Sequence, residues 1–391
     1  MKDLYLKERK LGGRINHSKR GLLRPLFFLL LALGLIAAVV FYAPQLFRWP
    51  VSITINGVHQ QVSYGTTLSR AAAMNISRDQ LFGDLIAVDG EVYERFGGEP
   101  PVFTVRGSER DGDTVIRTRQ TITVSRGADI TEEVSEVEVE VEPELRRTGS
   151  GPFRHVVSAG QVGISKKKVG MRSGIELEAV EVTAPLPVEV VFSAYPEDGS
   201  PVIALTFDDG PHPVHTPALL DALAAEGVKA TFFVTGVEVN RHPELARRIV
   251  DEGHQIANHS FGHRDYRGLS YSDKRLDFER AQDAIENASG VRPGWVRPPY
   301  GQWNASTMSL FGALDVRMAN WNLDPVDWRR PGASTIADRV IERAKPGSVV
   351  LMHDGGGNRE QTVMATRSII QALRAQGYQF LTVEELYART P

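Results

Sequence analysis

From Val202 to Val383 the chain alternates short apolar runs with helix-like stretches, and this alternation constrains the fold more than any other feature. The runs are "VIALTF" (202–207), "ATFFV" (230–234), "HQIAN" (254–258), "GWVR" (294–297), "VRMANW" (316–321), "SVVLM" (348–352) and "YQFLTV" (378–383). The segments between them carry helix punctuation. Thr216 stands as a cap with Pro217 at the first helical position and Gly227 past the end, and Pro243 and Gly253 bracket the next helix. Strand, helix, strand at this spacing calls for parallel pairing with helices outside, so an α/β barrel or a doubly wound sheet is expected.

The polar residues suited to chemistry sit just after strand ends. Asp208 and Asp209 follow the first run, His259 and His263 the third, Arg297 ends the fourth, Asp324 and Asp327 follow the fifth, and His353 the sixth. Parallel α/β folds build their sites at the carboxyl ends of strands, where the loops converge. In "NHSFGH" the two histidines are four apart, so on a helical turn both imidazoles would face one way and could share an ion. Asp208 or Asp209 would complete a two-histidine, one-carboxylate face, and the other carboxylate would be free to take a proton from water. Taken alone, Asp-Asp-Gly is more often a solvated turn. The chain has no cysteine, so a metal site must use His, Asp or Glu. A net charge of -3 gives no reason to expect nucleic acid as a partner.

Upstream, "LFFLLLALGLIAAVVFYA" (26–43) is uncharged over 18 residues, about enough to cross a bilayer, and eight lysines and arginines precede it. A single-pass anchor at 26–43 is expected, with residues 1–25 cytoplasmic and everything beyond Arg48 outside. The alternative is a cleaved signal peptide and a secreted protein, but the stretch exceeds the usual ~7–15 residue core and no A-x-A site follows. Residues 51–118 show an Asn56-Gly57 hairpin signal and further turn-and-strand units, similar to a small β-grasp module. Residues 119–192 read as a β-rich segment resembling the G5 modules of wall proteins. Within it, Glu136, Glu138, Glu140 and Glu142 alternate with valines as the solvated face of a strand. "SAYPEDGSP" (193–201) has linker composition and marks a boundary.

"LTFDDGPHPVHTPALLDAL", "VKATFFVTG", "EGHQIANHSFGH", "VRPPYG", "DPVDW" and "VVLMHD", in that order, resemble the polysaccharide deacetylases of carbohydrate esterase family four, the NodB-homology domain. The resemblance covers about half the chain, a domain placed at 200–391. It implies a distorted (β/α) barrel with fewer than eight regular strands and metal-dependent hydrolysis of N-acetyl, less often O-acetyl, groups on glycans. By position, Asp209, His259 and His263 resemble the metal ligands and Asp208 the general base, oriented by Arg297. The backbone N–H of Tyr300 resembles the oxyanion donor, and His353, held by Asp327, the general acid. Trp328 and Leu351 would shape a slot for the acetyl methyl, although either could equally be core. Asp324 could serve only loop structure, and Trp303 of "GQWN" could stack on a sugar or close the barrel.

The implied cofactor is one divalent cation, Zn2+ first, with Co2+, Ni2+ and Mn2+ also compatible with such ligands. The implied substrate is N-acetylglucosamine in cell-wall glycan, peptidoglycan above all. A surface glycan-binding protein with an inactive fold and an O-acetyl esterase of xylan-like chains are the alternatives.

Overall fold

The computed structural model describes residues 20–46, 49–194 and 199–390. The expected cytoplasmic segment, 1–25, therefore lies mostly outside the described residues, as does the middle of the 193–201 linker. Arg20–Leu46 forms one helix of 27 residues. Its described side chains, those of 28–42, are exposed and apolar. They are fewer than the roughly 20 positions that a span requires. Among the described residues, no helix is long and apolar enough to cross a membrane. The expected anchor at 26–43 is thus not carried by the described residues alone.

The chain divides into two compact units, residues 1–135 with 168–177, and residues 136–167 with 178–391. In the first, a mixed five-stranded sheet runs in the order Val58–Ser63, Pro50–Ile55, Gln120–Ser125, Val102–Val105, Ser108–Arg110. The first two strands form a hairpin that turns at Asn56 and Gly57, both with positive φ (47° and 86°), as a tight two-residue turn demands. Gln120–Ser125 pairs parallel to Pro50–Ile55 and antiparallel to Val102–Val105. Its alternating Ile122 and Val124 are buried with Ile53, Ile55, Leu68 and Phe103. The boundary expected at 118/119 is corrected by this arrangement, because it would strip the sheet of its central strand. Glu132 is also buried in this unit, its carboxylate accepting from the backbone N–H of Val88, Arg172 and Ser173 and from the Ser173 hydroxyl.

In the second unit the strands Arg317–Ala319, Trp295–Val296, Gln255–Asn258, Thr231–Val234, Val202–Asp208 and Ser348–His353 lie side by side in that order. All neighbouring pairs among them are parallel, as are Val202–Asp208 and Gln379–Phe380. A parallel bridge between Leu323 and Val350 links the chain just past Arg317–Ala319 to the other end of the row. All seven residues of Val202–Asp208 are buried, which is why they read as a continuous apolar run rather than an alternating one. Helices occupy the crossovers. His215–Glu226 ends on Gly227 in the left-handed conformation (φ 64°), and Tyr271–Ser289 is capped by the Ser270 side chain, which accepts from Asp273 N–H. Thr216, expected as a cap, lies inside its helix instead, where its hydroxyl donates to the Asp354 carboxylate.

Three strands from the expected G5-like segment extend this same sheet. Phe153–Ser158 pairs antiparallel to Arg317–Ala319, Val188–Ser193 antiparallel to Phe153–Ser158, and Leu145–Gly149 parallel to Val188–Ser193. Phe153 is wholly buried against Trp295 and Tyr387, with ring centroids at 5.8 and 5.6 Å. The expected separate module at 119–192 is therefore corrected: its first strand belongs to one unit and its last strands to the other. Alternation shows that a segment is a strand but not which sheet it joins.

The acidic row is exposed, and two of its members do more than meet water. Glu140 accepts from Tyr271 N–H with both oxygens (2.9 and 2.8 Å), at the start of the Tyr271–Ser289 helix. Glu142 accepts from Ser306 N–H (2.8 Å), the Ser306 hydroxyl and the Asn304 amide at the start of the Ala305–Ala313 helix. Carboxylates placed at helix N-termini satisfy free N–H groups and the helix dipole. All four glutamates are exposed as expected, and these two also cap helices.

Candidate active site

The Val202–Asp208 strand ends on Asp208, and Asp209 then takes a left-handed backbone (φ 74°) before a cis Gly210–Pro211 bond. That reversal lets two consecutive carboxylates enter one cavity, where a continued strand would send them to opposite faces. Gly210 has no room for a side chain: a Cβ there would lie 2.2 Å from Asp354 Oδ2. The cavity, about 450 Å3, is lined by Asp208, Asp209, His259, His263, Tyr300, Trp321, Asp324, Trp328, Leu351, His353 and Arg359.

His259 Nε2 and His263 Nε2 lie 3.4 and 3.1 Å from the same oxygen, Asp209 Oδ1. The two histidines do not share a helical turn as expected. They flank a tight loop in which Ser260 and His263 have positive φ (71° and 55°), held by Ser260 Oγ accepting from His263 N–H at 2.9 Å. His259 Nδ1 donates to the Arg297 carbonyl at 2.6 Å, which leaves Nε2 as a lone-pair donor facing Asp209. Asp209 Oδ1 is buried with no hydrogen-bond partner. Asp209, His259 and His263 are the one potential metal-holding group found among the described residues, with ligand atoms within 4.8 Å of one another. An orphaned carboxylate oxygen beside two imidazole nitrogens of fixed orientation suits a divalent cation.

Asp208 stands apart from this trio. Arg297, fully buried, donates from Nη1 to Asp208 Oδ1 at 2.7 Å and to Thr206 Oγ1 at 2.8 Å, and its other nitrogens reach the Ala319 and Asn320 carbonyls. Burial lowers the Arg297 pKa, and the Asp208 charge opposes the shift. Asp208 Oδ2 faces His259 Nε2 at 3.9 Å.

Across the cavity, His353 Nδ1 donates to Asp327 Oδ1 at 2.7 Å, and His353 N–H donates to Asp327 Oδ2 at 2.9 Å. Thr362 Oγ1 donates to the same Asp327 oxygen at 2.8 Å, so the carboxylate is fixed from three directions. Burial works to lower the His353 pKa, but the bond to Asp327, with the charges of Asp327, Asp208 and Asp209, outweighs it and raises the value to about 9. At Asp209 burial pushes the carboxyl up, yet the neighbouring His259 and His263 imidazoles bring it far below the ordinary range. His259 is raised despite burial, by the charges of Asp208 and Asp209. Neighbouring Asp354 is pushed up to about 7 by burial, against the Thr216 bond and with help from the Asp209 and Asp208 charges.

Tyr300 is mostly exposed at the mouth, with a left-handed backbone (φ 60°) and its ring 4.6 Å from that of His263. Leu351 is buried and Trp328 half-exposed on the cavity wall, an apolar strip beside the polar groups. Asp324 accepts from Val326 N–H at 2.6 Å and so shapes its own loop while lining the cavity. Trp303 stays outside the cavity, its ring 6.0 Å from that of Phe192.

Sequence reasoning missed Trp321, Arg359, Asp354, Thr206 and Thr362. Arg359 bonds the carbonyls of Gly355 (2.8 Å) and Gly356 (3.1 Å), and a Cβ on Gly356 would lie 2.6 Å from Asp209 Oδ2. The arginine therefore fixes the loop that backs Asp209. Asp354 could have been noticed beside His353; nothing in the spacing flags the others.

Comparison with known proteins finds polysaccharide deacetylases. A family model described as polysaccharide deacetylase matches residues 196–319. A peptidoglycan-N-acetylglucosamine deacetylase of Bacillus cereus is 38% identical over 193 residues, 47% of this chain and 87% of that one. A chitooligosaccharide deacetylase of Sinorhizobium fredii is 39% identical over 193 residues, 46% of this chain and 89% of that one. The peptidoglycan-N-acetylmuramic acid deacetylase PdaC of Bacillus subtilis is 41% identical over 185 residues, 47% of this chain and 38% of that one.

Proposed function

The chain belongs to the polysaccharide deacetylases of carbohydrate esterase family four, hydrolases of N-acetyl amide bonds, and from that membership we propose that it deacetylates N-acetylglucosamine residues of peptidoglycan. The observation that carries the proposal is the pairing of a potential cation-holding trio with a separate, arginine-held carboxylate in one cavity. A protein that only bound glycan would need neither. The row of parallel strands, linked end to end by the Leu323–Val350 bridge, supports a distorted (β/α) barrel with its site at the strands' carboxyl ends.

Asp209, His259 and His263 would hold the divalent cation, for which Zn2+ is the first choice given two imidazoles and one carboxylate. When bound, the ion supplies Lewis-acid polarisation of the acetamide carbonyl and acidifies water. Asp208, oriented by Arg297, accepts the proton of the attacking water on Oδ2. The backbone N–H of Tyr300 donates to the developing oxyanion. His353, kept protonated by Asp327, delivers a proton from Nε2 to the departing glucosamine nitrogen, so the C–N bond breaks to give a free amine and acetate. Trp328 and Leu351 receive the acetyl methyl.

The exposed apolar side chains of the Arg20–Leu46 helix support attachment to the cell membrane, with the catalytic unit on the outer side facing the wall. Acetate release from purified peptidoglycan and from chitin oligomers tests the assignment. Release from peptidoglycan is expected, and release from neither substrate would remove the deacetylase reading.

A further inference from the structure

Arg359 lines the wall of the catalytic cavity, only 7% exposed, and takes no part in the proposed chemistry. Its hydrogen bonds run to backbone carbonyls: Nε donates to Gly355 O at 2.8 Å, Nη2 donates to Gly356 O at 3.1 Å, and Nη1 reaches Trp328 O at 3.5 Å. A planar fork of five N–H donors suits this work, because it holds several acceptors in one fixed geometry. Two of these carbonyls belong to the run Gly355–Gly357, whose backbone has little order of its own.

That run is pressed onto the two adjacent aspartates of the site. Asp354 N–H and Gly355 N–H both donate to Asp208 O, at 3.1 and 3.3 Å. A Cβ on Gly355 would lie 2.1 Å from Asp209 O. One on Gly356, whose φ is 67°, would lie 2.6 Å from Asp209 Oδ2 and 3.5 Å from Arg359 Nη2. Only glycine permits an approach this close, and glycine alone does not keep it in place. The Asp209 carboxylate is bounded on both sides: Oδ1 meets the two imidazoles, and Oδ2 meets the loop, with Arg359 Nη2 on that same side.

We propose that Arg359 is a positioning residue for the cation site: by clamping the Gly355 and Gly356 carbonyls it seats the loop against Asp209 Oδ2 and so holds Oδ1 on the side of His259 and His263. The proposal rests on the reading of Asp209, His259 and His263 as the cation's ligands, and adds to it the device that orients the carboxylate among them. His259 is aimed by its bond to the Arg297 carbonyl, and the His263 turn is held by Ser260 Oγ. Asp209 Oδ1 has no hydrogen bond to fix it. An ordered loop behind the carboxylate does so by contact instead. Without Arg359 the glycines regain backbone freedom, the carboxylate can rotate, and binding a cation must reorder both at a cost in affinity.

The test is the Zn2+ affinity of the full-length chain, measured by competition with a chromophoric chelator, which reads the site without turnover. The wild type and His263→Ala report on the ligand reading: binding in the first and its loss in the second are expected. No binding by the wild type would overturn that reading and the positioning role together. Arg359→Gln should raise the Zn2+ Kd about tenfold, as removal of a group that orients a metal ligand does, and Arg359→Lys should recover part of the loss, since an ammonium still bonds some of the carbonyls. Gly356→Ala, with Arg359 intact, should raise the Kd as well, because its methyl would displace Asp209 Oδ2. Far-UV circular dichroism of the zinc-free proteins shows which variants are folded. With the wild type binding, an unchanged Kd in folded Arg359→Gln overturns the proposal and leaves the ligand reading standing. If Arg359→Gln does not fold, an unchanged Kd in both Arg359→Lys and Gly356→Ala overturns it.

Discussion

Arg297 Nη1 lies 2.7 Å from Asp208 Oδ1, and both side chains are closed to solvent, 0% and 3% exposed. One oxygen of Asp208 is thereby spoken for, and the other is left turned toward the cation-holding trio. Adjacent Asp209 has its Oδ1 against two histidines and no arginine. The two carboxylates differ in surroundings, which suits them to the different roles proposed.

Asp208→Asn should retain the bound cation and lose turnover by about 10²–10⁴-fold, the usual contribution of a general base. Metal content by elemental analysis, set beside acetate release, checks this. Retained turnover would move the base elsewhere. Arg297→Met should be harsher, since an unpaired buried carboxylate costs roughly 3–5 kcal/mol, visible as a lowered denaturant midpoint.

If His353 is the acid as proposed, the His353–Asp327 pair should govern the alkaline side of the pH profile. With its pKa raised to about 9, His353 keeps its proton through neutral pH and loses it, and with it the acid function, as pH climbs past that value. Asp327→Asn removes the charge that sustains the imidazolium, so the alkaline limb of kcat/KM should move toward neutrality. A limb that stays in place would separate His353 from the acid role.

Much of this arrangement was legible in the sequence. The apolar runs located the parallel strands because strands buried on both faces must be continuously apolar, as Val202–Asp208 is. Putting the polar residues at those strands' ends followed from the fold class. What stayed hidden depended on pairing at long range. No local pattern shows that Phe153 packs on Trp295, or that Gln120–Ser125 slots between Pro50–Ile55 and Val102–Val105. The same limit explains Glu140 and Glu142, whose alternation with valines is that of any solvated strand face until the helix N-termini that they cap are in view. For His259 and His263 a spacing of four suggested a helix, whereas positive φ at Ser260 and His263 makes the turn.

Glu142→Ala should lower the stability of the catalytic unit by about 1 kcal/mol, the typical value of a helix cap, and leave buried Lys274 without its nearest carboxylate at 4.0 Å. Glu136→Ala on the same strand should stay within about 0.5 kcal/mol, as an exposed surface change does. Chemical denaturation of the two variants compares them directly, and equal losses would remove the capping role of Glu142.

Glu132 makes the first unit acid-sensitive. The Ser173 hydroxyl bond, the largest effect, and three backbone N–H bonds hold its pKa at about 2 against burial. A depressed carboxyl contributes stability that is fully present above its unfolded value of about 4.3 and is lost as pH falls toward 2. Glu132→Gln should therefore melt below the wild type at pH 7 and converge with it near pH 2. Parallel melting curves at all pH values would exclude this role.

The central claim is that one divalent cation, gripped by Asp209, His259 and His263 beside an unligated Asp208, makes this chain a deacetylase. Acetate release from peptidoglycan, followed before chelation, after chelation and after return of Zn2+, tests it most directly. The account predicts loss and recovery of activity in step with one bound equivalent of metal, and neither in His263→Ala. Undiminished release from fully demetallated protein would contradict it.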